Sequence, residues 1–158
     1  MGKYRKEAEQ ALQAFCTMLD NIGFKYDVND EELVVNLITV GDDLPMEMVI
    51  RFDEEIGRMF LISEMPVVMN EDKRIDAAVV INAYNNGKMM GVFDLDIANG
   101  TIYYRITQCF VGCEISDVLC NLLLQLAVKA IDDYNDKFLM LNKSVITMEQ
   151  MLSMMESE

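Results

Sequence analysis

Ala8, Ala11, Leu12, Phe15, Leu19 and Ile22 recur at three- and four-residue steps between residues 4 and 22, and Gly23 follows them. That spacing lines one face of a helix and puts glycine where a left-handed cap closes it. The pattern then changes period. "FKYDV" and "LVVNLITV" are short β-branched runs around the polar "NDEE", the signature of a hairpin. "MEMVIRF" alternates, with Met46, Met48, Ile50 and Phe52 on one side and Glu47 and Arg51 on the other, and the turn "DEEIG" leads to "RMFLIS". These runs predict an antiparallel meander of about four strands.

Residues 65 to 87 predict a second helix region, with Asn70 as its cap, Asp72 at the positive end of the dipole, and Ile75, Ala78, Val79 and Ala83 on its core stripe. Two strands follow, "KMMGVFDLD" and "TIYYRITQCF", joined by "IANG". Ser116 is placed to cap a long helix over about 117 to 141, and Thr147 with Gln150 forms a capping-box pattern for a tail helix. The order α-ββββ-α-ββ-α makes this an α+β chain, an antiparallel sheet of about five to six strands packed with helices. Residues 1–143 read as one domain and 144–158 as a short Met-rich helix or tail.

In the long helix the polar residues Asn121, Gln125, Lys129, Asp132, Asp133 and Asp136 leave only a narrow wet stripe, so more than one face wants burial. The tail places Met148, Met151, Leu152 and Met155 on one stripe of adaptable thioether and aliphatic side chains. Leu124 and Val128, with those four tail residues, are the candidate interface, to be covered by the chain itself, by a second copy or by a protein partner.

Composition narrows the chemistry. With 158 residues, 52% of them hydrophobic, the chain has enough apolar material for a core. A net charge of -14 repels phosphate backbones and anionic lipid, so neither nucleic acid nor membrane is an expected partner. The single basic cluster, Lys3, Arg5 and Lys6, is followed at once by Glu7 and Glu9. No apolar leader or membrane-length run occurs, which makes the cytoplasm the expected location. There is no histidine, which removes imidazole bases, Ser-His-Asp and Cys-His catalysis, and mixed Cys/His metal sites. Cys16, Cys109, Cys113 and Cys120 contain no CxxC pair and are expected to be reduced, buried small hydrophobes.

Two acidic motifs remain. Asp94 and Asp96 share a strand face, but an EF-hand loop from Asp94 would need an oxygen ligand, glycine and glutamate where Ala98, Asn99 and Arg105 stand. "DDYND", 132 to 136, matches a diphosphate-binding pattern of large all-helical enzymes, yet this chain has strands and no second copy of the motif. No cofactor or metal is expected. As an alternative to a binding protein, a carboxylate-dependent enzyme or small-molecule binder would draw on Asp94, Asp96, Tyr103 and Arg105. A structural subunit of a complex is a third reading.

The Asn- and Gly-rich stretch "INAYNNGKMMGVFDLDIANG" reads as punctuation. Asn85, Asn86 and Gly87 end a helix in the left-handed region, and Ala98, Asn99 and Gly100 turn a hairpin. Asn82, seven residues after Ile75, is expected to be buried, to bond nearby backbone and to fix the helix-to-strand geometry.

"VVINAYNN", then the hairpin "GVFDLDIANGTIYYR", then an apolar helix ending "AIDDYNDKFLML" and a Met/Glu-rich tail resemble the YbjN-like family of bacterial proteins. The residues that carry the resemblance are Asn82, Tyr84, Asn85, Phe93, Asp94, Gly100, Ile102, Tyr104 and Tyr134, and the order of elements extends it over nearly the whole chain. The resemblance implies a fold similar to type III secretion chaperones, often dimeric, with no established catalytic residues. The expected function is therefore a non-enzymatic binding or regulatory protein, chaperone-like, engaging a protein partner through apolar surface. A homodimer is expected, through the long helix or a sheet edge.

Overall fold

The structure is a computed structural model that describes residues 1–42, 44–88 and 90–156. Asp43 in the expected turn 41–45, Met89 in the expected strand 88–96, and Ser157 and Glu158 in the expected tail lie outside the described residues. Helix α1 (Arg5–Ile22) leads to strands β1 (Tyr26–Asn29), β2 (Val34–Val40), β3 (Pro45–Asp53) and β4 (Arg58–Val68). A short 3₁₀ turn and α2 (Arg74–Asn86) follow, then β5 (Val92–Asp96), β6 (Thr101–Cys109), α3 (Asp117–Asn142) and α4 (Met148–Glu156). The strands form one sheet in the order β1-β2-β3-β4-β6-β5, with every neighbouring pair antiparallel.

Several elements follow directly from their residues. Gly23 closes α1 at φ 75°, where its N–H reaches the Asp20 and Leu19 carbonyls. The Ser116 side chain accepts from the Leu119 N–H at the start of α3. Thr147 and Gln150 bond reciprocally, 2.9 Å and 3.2 Å, and start α4. Arg5 is more than a solvated cation: it pairs with Glu9 and donates to the Asp30 and Glu31 carbonyls, tying α1 to the β1–β2 turn.

Register puts the core on one side of the sheet. Val35, Ile50, Leu61 and Ile106 form one row across β2, β3, β4 and β6. Leu37, Met48, Ser63, Tyr104 and Phe93 form the next, which reaches β5, and all nine of these residues are buried. α1 packs on β2 and β3, α3 on β4, β6 and α1, and α2 on β5. At the β5 end an aromatic cluster closes the core: the Phe93 ring lies 4.8 Å from Tyr84, 5.0 Å from Tyr104, 5.5 Å from Phe138 and 5.6 Å from Tyr134.

Several expectations need correction. β4 continues through Met65 and Val67 instead of stopping at Ser63, because the alternation of buried and exposed residues persists to Val68. Its pairing with β6 shifts between Glu64 and Val68, and Pro66, which has no N–H to donate, falls inside that irregularity. In α2 the buried stripe is Ala77, Val80, Ile81 and Tyr84, while Ile75 is 64% exposed and Val79 41%. Both sets satisfy helical spacing, and the place of Tyr84 among the rings selects the phase. Asn82 consequently faces solvent. Asn85, half-buried, performs the role expected of Asn82: its amide donates to the Phe93 carbonyl at 2.8 Å and accepts from the Phe93 N–H at 3.0 Å. It thereby covers the edge of β5 at its most buried residue.

The helix end also differs. Gly87 has φ -93°, in the right-handed region, whereas Gly91 has φ 71°, in the left-handed region. Asn70 makes no side-chain cap and instead meets Asn142 at the end of α3, which accepts from its N–H at 2.8 Å. Gly100 does turn the hairpin at φ 85°, and there it also touches the Met69 carbonyl, which leaves no room for a Cβ.

Candidate functional site

The apolar surplus of α3 is largely closed within the chain. Leu124 and Met151, expected at an interface, are 2% and 0% exposed: α3 packs against α1, the sheet and α4, and α4 packs against α2 and α3. Val128, Met148, Leu152 and Met155 are half-buried and pack against the same core. α4 lies mainly on α2, and Leu152 and Met155 border one depression of about 460 Å³ with Ala83, Tyr84 and Tyr134. On α3 the apolar residues left open are Val118, 75% exposed, and Leu122, 49%, in its first turns.

The carboxylate candidates are occupied by local structure. Asp94 takes two bonds from Arg105, 2.7 Å and 3.3 Å, which neutralises both, and a third Arg105 nitrogen donates to Thr107. Asp96 accepts from the Ala98 N–H and the Asn99 amide and so braces the hairpin turn. Tyr103 stands opposite Asp94 on the same sheet face. In "DDYND", Asp132 accepts from the Asp42 N–H, Asp133 pairs with Lys129, and Asp136 is exposed, so the motif does not converge. Among the described residues no cluster of three or more acidic or cysteine side chains could hold a metal.

The cysteines divide. Cys16 and Cys120 are buried, whereas Cys109 and Cys113 are exposed, contrary to the expectation for all four. Burial, reinforced by the nearby Asp117 carboxylate, pushes the Cys120 thiol up to about 12, and burial also raises Cys16. Both remain protonated and poorly nucleophilic at neutral pH. Iodoacetamide should therefore add rapidly to Cys109 and Cys113 in the native protein, with Cys16 and Cys120 labelled only after denaturation. Peptide mass spectrometry reads this directly, and rapid native labelling of Cys120 would contradict the packing of α3.

What the fold leaves open is the other face of the sheet. With the helices gathered on the core side, register lines up Asn36, Val49, Ile62, Arg105 and Val92 in one outward row, and Val34, Arg51, Phe60 and Thr107 in the next. Beyond them, Ile38 stands opposite Glu47 and Val40 opposite Pro45. Ile38 is 60% exposed, Val40 72% and Val49 39%, and Val34, Phe60 and Ile62 are half-exposed. A depression of about 530 Å³ lies among Tyr26, Asn36, Ile38, Glu47 and Val49. A contiguous apolar surface on a strand face is where a polypeptide can be gripped. The sequence carried a signal of this: "LVVNLITV" and "RMFLIS" place aliphatic or aromatic residues on both faces, unlike the clean alternation of "MEMVIRF".

No family model matches the sequence, and no curated protein sequence matches it. Solved structures do match in fold. The ExsC–ExsE complex aligns with a TM-score of 0.60 at 13% identity over 87% of this chain and 97% of that one. The HopA1–SchA chaperone–effector complex aligns with a TM-score of 0.55 at 13% identity over 78% and 91%. YbjN from E. coli aligns with a TM-score of 0.54 at 11% identity over 76% and 84%. The chain thus has the YbjN-like, type III secretion chaperone-like α+β fold.

Proposed function

We propose that this protein is a non-enzymatic, chaperone-like binding protein that holds an extended segment of a partner polypeptide against the open sheet face. The observation that carries this reading is the two-sided apolar character of β2 and β4, one side of which no helix covers among the described residues. Similarity in fold to a chaperone–effector complex supports it. The pairing of Asp94 with Arg105 and the bracing role of Asp96 weigh against the enzyme alternative. A labelled, permanently unfolded test protein should bind, with binding followed by fluorescence anisotropy. The double substitution Val49→Asp/Ile62→Asp should weaken it about tenfold or more, because it places charge where apolar contact is made. Unchanged affinity in a variant whose circular dichroism is native would overturn the proposal.

The same reading takes the protein as a cytoplasmic homodimer. Val118 and Leu122, exposed together at the start of α3, are the helix surface available for self-association. Light scattering should return twice the mass of the chain, and a clean single-chain mass at high concentration would remove the dimer. Among the described residues no helix is long and apolar enough to cross a membrane.

A further inference from the structure

We infer that the partner segment is basic as well as aliphatic, and that it sets a Lys or Arg side chain over Glu47 and Glu64. This rests on the reading of the open sheet face as a polypeptide-binding surface, and the charges on that face select the occupant.

The face carries two kinds of carboxylate. On the late hairpin Asp94 is compensated by Arg105 at 2.7 Å. On β3 and β4 the situation is opposite. The β3–β4 register ends at the pair Met48–Ser63, and the next residues beyond it, Glu47 on β3 and Glu64 on β4, are exposed at the mouth of the same gap between the strands. Both are exposed, both border one depression of about 300 Å³, and among the described residues neither has an ion-pair partner. Like charges adjacent across strands are destabilising, and a bound cation reverses the sign of that interaction.

Spacing links the charge to the apolar floor. Val49 pairs with Ile62 one outward step from Glu47 and Glu64. A two-residue step in an extended chain is about 7 Å on both partners, so residue i of a bound segment can rest on Val49 and Ile62 while residue i+2 reaches the carboxylates. The net charge of -14 adds attraction at long range. A second copy is a poorer occupant, since it repeats the same carboxylates and the same net charge. A divalent metal is poorer too, since no three-ligand cluster occurs among the described residues.

The test uses three labelled peptides of about eight residues, long enough to cross the face. Each has threonine on one side of the extended chain and, on the other, valine alternating with lysine, serine or glutamate. The lysine peptide should bind about tenfold more tightly than the serine peptide, the gain expected of two partly desolvated charge contacts, and the glutamate peptide should bind more weakly than either. Glu47→Gln/Glu64→Gln should erase the advantage of lysine over serine and keep or raise the thermal midpoint. Glu71→Gln/Asp72→Asn, which removes the same charge elsewhere, should preserve the advantage. If lysine and serine peptides bind alike, or if the two charge variants lose the advantage equally, the inference falls while the sheet-face reading stands. If none of the peptides binds, both fall.

Discussion

Phe93→Ala should cost about 4 kcal/mol of folding stability, near the upper range for emptying an aromatic core site. Phe93 is fully buried and sits within 5.6 Å, centroid to centroid, of Tyr84, Tyr104, Tyr134 and Phe138. Truncation removes the transfer energy of the ring, opens a cavity that four rigid rings cannot collapse to fill, and forfeits edge-to-face contacts worth about 1 kcal/mol each. In a chain of this length the thermal midpoint should fall by about 12 °C. Val49→Ala, on the open face, should cost about 0.5 kcal/mol. Thermal denaturation of the two variants side by side checks the assignment of the two sheet faces. Equal losses would mean that the core lies elsewhere.

Removal of residues 144–158 should cost about 3 kcal/mol, a smaller effect with a different balance. The deletion takes away Met151, fully buried, and Ile146, 8% exposed, and removes Leu152 and Met155 from the depression they border with Tyr84 and Tyr134. Against that, it releases the conformational entropy held by about a dozen ordered residues, which cancels much of the gross apolar gain. α4 is only 9 residues long and could not persist as an isolated helix, so its order depends on docking against α2. A truncated protein with an unchanged melting midpoint would contradict that docking and return the Met stripe to the candidate interfaces.

The parts of this fold that could be read from the sequence are those decided locally. Gly23, Ser116 and the Thr147–Gln150 pair each satisfy specific backbone groups within four residues of themselves, and each does so in the structure. The alternation of Met46, Met48, Ile50 and Phe52 likewise fixes which side of β3 is core. What could not be read depends on distant partners. The phase of α2 follows from Tyr84 meeting Phe93 and Tyr134, and so Asn85, not Asn82, reaches the β5 backbone. Burial of Leu124 and Met151 follows from where α1 and α4 come to rest. The candidate site shares that difficulty. Strands apolar on both sides announce two contact faces, but only the packing of α1, α2 and α3 on the same side shows which one is left without a cover.

Methyl-resolved NMR tests the sheet-face assignment most directly, because it reports on side chains of the two faces separately. On titration with the unfolded test protein, the methyl signals of Val34, Ile38, Val49 and Ile62 should shift or broaden, while those of Val80 and Ile81, buried in α2, stay in place. Perturbation confined to Val118 and Leu122 on α3, or to Met148, Leu152 and Met155 on α4, with the sheet methyls silent, would contradict it.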